Sequence, residues 1–68
     1  MERHARLTEG TVYRNRNGGD YLCRIVLRDG AIMTNTKSRW QCEAHIITLY
    51  DDGTIEWDYS TGGHFEGN

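Results

Sequence analysis

Nowhere in this 68-residue chain does an apolar run approach the ~20 residues that a membrane span requires. Met1–Gly10 lacks the hydrophobic stretch of a secretory signal, so the chain reads as cytoplasmic, with no membrane association. Cysteine is scarce. Cys23 and Cys42 stand in separate segments without a C-x-x-C spacing, which excludes the cysteine-dense scaffolds of small secreted domains. Two buried, reduced thiols are expected, with a disulfide joining two strands as the alternative. Proline is absent, and no helical period appears between the turn signals.

The C-terminal part lacks basic residues altogether. All eight lie within residues 1–40, where four acids oppose them and leave a charge of +4. Residues 41–68 carry six acids (Glu43, Asp51, Asp52, Glu56, Asp58, Glu66) and no base, hence −6. The net charge of −2 argues against a dedicated polyanion binder. The asymmetry itself is satisfied either by pairing across strands or by two opposed patches that select partners by sign.

What is present is a thin globular core. A chain this short allows one domain, spanning 1–68, and buries only ~60% of the surface that its unfolded form exposes. Apolar residues make up 37% and mean hydropathy is −0.75, yet 10% aromatics bury large areas from few positions. Short alternating runs between glycine-marked reversals predict five strands at about 11–14, 20–28, 31–35, 40–50 and 54–60. Asn15–Gly19, Asp29-Gly30 and Asp51-Asp52-Gly53 are the turns. Residues 1–9 form an arm of unassigned conformation, and 61–68 read as a polar tail unless Phe65 docks.

The fold class expected is all-β: a five-stranded antiparallel meander closing into a small SH3-like barrel, because short strands must hide their edges. Tyr21, Cys23, Ile25 and Leu27 should share one face of the second strand. Trp40, Cys42, Ala44, Ile46, Thr48 and Tyr50 should share one face of the fourth. Ile55 and Trp57 are the strongest core candidates. Leu22, Val26, Ile47 and Leu49 fall on the opposite faces, so either the strands bend sharply or a homo-oligomer covers them.

No catalytic set is recognisable. Cys42 and His45 are three apart on a strand and point to opposite faces, so they cannot share a proton. His4, His45, His64 and the cysteines lack the paired spacing of a zinc site, and residues 51–56 lack the ligand order of a calcium loop. No metal and no cofactor are expected. Glycine-rich segments at 15–19 and 60–63 offer backbone N–H groups to an anion, although ordinary turn chemistry accounts for them. Tyr13, Trp40 and Tyr59, near strand ends, are candidates to stack on a ligand beside Arg14, Arg16 and Arg39.

The runs Gly10–Gly19, Tyr21-Leu22-Cys23 and Tyr50–Gly63, closing on Trp57-Asp58-Tyr59-Ser60-Thr61-Gly62-Gly63, resemble a group of short uncharacterised proteins of bacterial genomes, phages and mobile elements. The resemblance implies an accessory protein of a mobile element, often an inhibitor of a host protein or a sequestering agent, and brings no site residues with it.

Three functions follow as expectations. The first is a non-catalytic module that holds a nucleotide-like small ligand with Tyr13, Arg14, Arg16, Arg39, Trp40 and Tyr59. The second is a protein-interaction module acting through an acidic face of Glu43, Asp51, Asp52, Glu56 and Asp58, in imitation of nucleic acid. The third and weakest is a nucleic-acid binder using the basic half.

Overall fold

The computed structural model describes residues 6–61, apart from the side chain of Tyr59. Expectations for His4, His64, Phe65 and Glu66 therefore lie outside the described residues. Among the described residues five strands follow one another without a helix: β1 (Val12–Asn15), β2 (Asp20–Val26), β3 (Gly30–Asn35), β4 (Gln41–Leu49) and β5 (Thr54–Thr61). Each pairs with the next, and β5 returns to β1, so the small SH3-like barrel is closed in the order β1-β2-β3-β4-β5.

The meander is antiparallel as expected, and the closing seam between β1 and β5 is parallel. Strands that alternate in direction make the first and fifth point the same way, so an odd-numbered meander can close only through a parallel pair. Arg14 lies beside Thr54 and Asn15 beside Ile55 in that seam.

Two turns share one design. Asn15 N donates to Gly19 O and Gly18 N to Asn15 O; likewise Tyr50 N donates to Thr54 O and Gly53 N to Tyr50 O. Gly18 (φ 105°) and Gly53 (φ 88°) occupy the left-handed position that each turn needs. Asp29-Gly30 is different. The reversal centres one residue earlier, on Arg28 and Asp29, with Leu27 N donating to Gly30 O. Gly30 is the first residue of β3, where a Cβ would stand 1.9 Å from the Ala44 carbonyl oxygen. It is glycine because two backbones nearly touch.

Side-chain alternation inverts in two strands, which corrects both predicted faces. In β2 the register shifts between Cys23 and Ile25, placing Arg24 at a bulge. Cys23 is therefore fully buried while Ile25 is 52% exposed, and Val26 turns inward against the core. In β4, Cys42 and Ala44 are buried, but Ile46 adopts φ 56° and the next buried residue is Ile47. The strand bends at Ile46, and Ile47 joins the core instead of the opposite face.

The core comprises Leu7, Tyr21, Cys23, Ala31, Met33, Cys42, Ala44, Ile47 and Ile55, with Tyr13, Val26, Trp40 and Trp57 packed half-buried against it. Tyr21 is its aromatic centre, meeting Trp57 edge-on at 5.1 Å and Trp40 at 6.4 Å. Both thiols are free. Cys23 and Cys42 each pair with Met33 from opposite sides, so one whole strand separates them. That puts their Cα atoms ~10 Å apart, beyond disulfide reach, which removes the disulfide alternative. Before β1 the chain is docked: Leu7 is buried, Tyr13 Oη accepts from Thr8 N, and the Glu9 carboxylate accepts from Val26 N.

Candidate functional site

The loop between β3 and β4 is organised by Asn35. Its Oδ1 accepts from Lys37 N and Ser38 N, both at 2.9 Å, and its carbonyl accepts from Arg39 N at 2.9 Å. Asn35 N donates to Trp40 O, and Thr36 N donates to Asp20 O, which ties the loop to β2. The chain re-enters β4 through Arg39 at φ 67°. A left-handed conformation costs a residue with a Cβ ~1–2 kcal/mol, and glycine or asparagine would adopt it more easily. Arginine stands there regardless.

Arg39 lines a groove of about 320 Å³ together with Leu22, Arg24, Thr34, Asn35 and Thr36. Leu22 and Thr34 are cross-strand partners and form its floor. Arg24 enters it from the β2 bulge. Thr34 Oγ1 is buried and has no hydrogen-bond partner among the described residues. A second groove of about 300 Å³ adjoins the first, sharing Asn35 and Thr36 and adding Arg14, Gly18, Gly19, Asp20 and Lys37.

The backbone cradle expected of Asn15–Gly19 is already spent on the turn. Gly18 N donates to Asn15 O, Gly19 N to Asn17 Oδ1 and Asn17 N to Asn15 Oδ1. Cationic side chains, and not a nest of N–H groups, are what these grooves present.

Of the residues singled out for ligand binding, the structure brings Arg39 to the first groove and Arg14 to the second. Arg14 Nε lies 3.0 Å from Asp20 Oδ1. Arg16 goes elsewhere: its guanidinium covers the Tyr50 ring and faces Asp52. Tyr13 is committed to Thr8 and Trp40 packs against Tyr21, and neither ring lines either of these two grooves. Tyr59 pairs with His45 on β5, and its side chain lies outside the described residues. Sequence reasoning misses Arg24, Thr34 and Lys37. Arg24 carries a readable signal, a charge inside an otherwise apolar strand, whereas Thr34 and Lys37 reveal themselves only through the loop that gathers them.

The acidic residues are spread along the β4–β5 hairpin. Asp51 and Asp52 sit on the β4–β5 turn, and Glu43 lies at the far end of β4. Asp52 Oδ1 accepts from Thr54 N and Thr54 Oγ1, and with Arg16 nearby these bonds hold its carboxyl below the ordinary carboxylate range. Glu56 accepts from the Tyr50 hydroxyl at 2.8 Å. Glu43 and Asp29 flank His45, with oxygens 3.4 Å from Nε2 and 3.5 Å from Nδ1. Asp58 is exposed on β5.

Cys42 and His45 remain apart in their chemistry as well. Burial pushes the Cys42 thiol up to about 11, a hydrogen bond with Ser60 opposing the rise, so it is not a thiolate at neutral pH. Among the described residues no three His, Cys, Asp or Glu side chains gather as metal ligands, and no helix is long and apolar enough to cross a membrane. No protein-family model, curated protein or solved structure matches the chain.

Proposed function

We propose that this protein is a non-catalytic binding module that captures a small, phosphate-bearing ligand in the groove lined by Leu22, Arg24, Thr34 and Arg39. The observation that carries this reading is Arg39. Its backbone is held in a conformation that opposes stability, while its side chain lines a groove with a second arginine. Strain of this kind concentrates where a side chain is needed for binding. Two guanidinium groups supply forked donors for phosphate oxygens, and Leu22 gives the non-ionic part of the ligand an apolar floor.

Aromatic stacking has less support, since Tyr13 and Trp40 are used by the fold. A ligand recognised mainly by its phosphate fits better than one recognised by its base. The resemblance to short mobile-element proteins supports a sequestering or inhibitory role, and two buried free thiols suit the reducing cytoplasm. Val12 and Ile25, 53% and 52% exposed, supply apolar surface on which a homo-oligomer would draw. The rival acidic-face reading is weaker, because Glu43, Asp52 and Glu56 are each engaged within the chain.

The test is an NMR titration of backbone amides with inorganic phosphate and pyrophosphate, on the native chain and on Arg39→Gly. Shifts confined to residues around Leu22, Arg24, Thr34, Thr36 and Arg39 are expected. Arg39→Gly should abolish them while keeping the melting temperature, since relief of the left-handed strain offsets the entropy that glycine adds to the unfolded chain. Spectra that do not respond to either anion refute the reading.

A further inference from the structure

We infer that the groove lined by Arg14, Gly19, Asp20, Asn35 and Lys37 is a ligand site of its own, suited to a small carboxylate that bears a hydroxyl on the adjacent carbon. The inference goes beyond the phosphate reading above and does not depend on it. At about 300 Å³ the groove has room for a molecule of this size.

Two of the lining side chains are oriented before any ligand arrives. Asn35 Oδ1 accepts from Lys37 N and Ser38 N, both at 2.9 Å, which fixes the carboxamide with its oxygen toward the loop backbone and its nitrogen toward Gly19. Nδ2 lies 3.3 Å from the point that a Cβ on Gly19 would occupy. Glycine leaves that point empty, so the amide N–H groups open onto the groove and not onto a methyl. Arg14 is oriented by Asp20: Nε lies 3.0 Å from Oδ1 and Nη2 3.4 Å from Oδ2. A carboxamide and a guanidinium held in this way have less freedom to lose when a ligand binds.

Charge selects the ligand class. Arg14 and Lys37 against Asp20 leave the lining with a single net positive charge, which matches a monocarboxylate better than a dianion. The carboxylate oxygens would accept from Asn35 Nδ2, from Arg14 and from the Lys37 ammonium. Asp20 then decides what stands beside the carboxylate. Its Oδ2 holds Arg14 at only 3.4 Å and keeps lone pairs for a further donor. An ammonium there would share one carboxylate with the Arg14 guanidinium and be repelled by it. A hydroxyl donates without that cost.

The test is an NMR titration of the native chain and of Asp20→Ala with lactate, acetate and alanine at constant ionic strength, following the Asn35 side-chain amide and the Gly19 backbone amide. Lactate should move both resonances and bind the native chain about fivefold more tightly than acetate, the worth of one added hydrogen bond. Alanine, with an ammonium where lactate has its hydroxyl, should bind no better than acetate. Asp20→Ala should keep the fold, because an exposed ion pair contributes little and the bond from Thr36 N is accepted by the Asp20 backbone carbonyl. In that variant the advantage of lactate should vanish, while acetate binds at least as well once the repelling carboxylate is gone. Equal native affinities for lactate and acetate, tighter binding of alanine than of lactate, or a preference for lactate that survives Asp20→Ala would each overturn the inference. So would native spectra in which neither amide responds. The phosphate reading is tested by its own titrations and stands or falls apart from these outcomes.

Discussion

The Arg16 guanidinium lies 3.8 Å above the centre of the Tyr50 ring, so the β1–β2 turn is fastened to the residue that opens the β4–β5 turn. Its Nη2 also faces Asp52 Oδ2 at 3.4 Å, and its Nε donates to Thr54 Oγ1 at 3.1 Å. These contacts cross the parallel seam, where the pairing is shortest. Arg16→Ala should cost about 1 kcal/mol, the sum of an exposed cation–π contact and a surface ion pair. A fall of ~4–8 °C in melting temperature would follow for a domain of this size. Phosphate binding should be unchanged, and a variant that keeps its stability but loses the ligand would return Arg16 to the site.

Gly30 is expected to tolerate no side chain. A Cβ there would stand 1.9 Å from Ala44 O and 3.2 Å from His45 Cα, both backbone atoms that cannot swing aside. Gly30→Ala should lose at least ~2–3 kcal/mol, a large share of the stability of a domain this small. Gly53→Ala meets nothing within 4 Å and suffers only its φ of 88°, so ~1 kcal/mol is the expected loss. Urea titrations of the two variants should rank them in that order, and equal midpoints would contradict the close approach of β3 to β4.

The same glycines show where sequence reading works and where it stops. Gly18 and Gly53 announce their turns because a left-handed φ is a local demand, met within four residues. Gly30 announces the wrong thing: Asp-Gly is also a hairpin signal, and the clash that requires glycine comes from Ala44, fourteen positions away. Ile25 and Ile46 fail for a related reason. Both strands are apolar on two faces, so the bulge at Arg24 exchanges Ile25 for Val26, and the bend at Ile46 exchanges Ile46 for Ile47, without leaving a mark in the pattern. The candidate site is legible only as a surplus of arginines. Which of them converge depends on the Asn35 loop and on the bulge, and each is a tertiary event.

Trp57 should prove structural. It is half-buried, faces Ile47 across the β4–β5 ladder, and meets the Tyr21 ring edge-on at 5.1 Å. Trp57→Ala is expected to lose about 3 kcal/mol, the lower end of the range for removing a large aromatic, because part of the ring is already solvated. Trp57→Phe keeps the edge contact and should recover about half of the loss. Thermal unfolding followed by circular dichroism separates these outcomes, and a stable, folded Trp57→Ala would place the tryptophan outside the core.

Stability should also fall in alkali, through the thiols. Desolvation raises the Cys42 thiol to about 11 from an ordinary 9.0, and raises Cys23, with Glu9 adding to the effect. Below pH ~9 both thiols are protonated in the folded and the unfolded chain, so their contribution to folding is fully present. Between ~9 and ~11 the unfolded chain releases its Cys42 proton while the folded chain retains it, and the unfolded state gains in proportion. The loss from Cys42 is on the order of 2 kcal/mol by pH ~11, with Cys23 adding in the same direction. Denaturant midpoints measured from pH 7 to 11 should decline over the upper part of that range, and Cys42→Ser should flatten the decline. At neutral pH a thiol reagent should label neither cysteine until the barrel opens, so labelling should follow unfolding. Rapid modification of the native chain would mean that Cys42 is neither buried nor protonated as the fold requires.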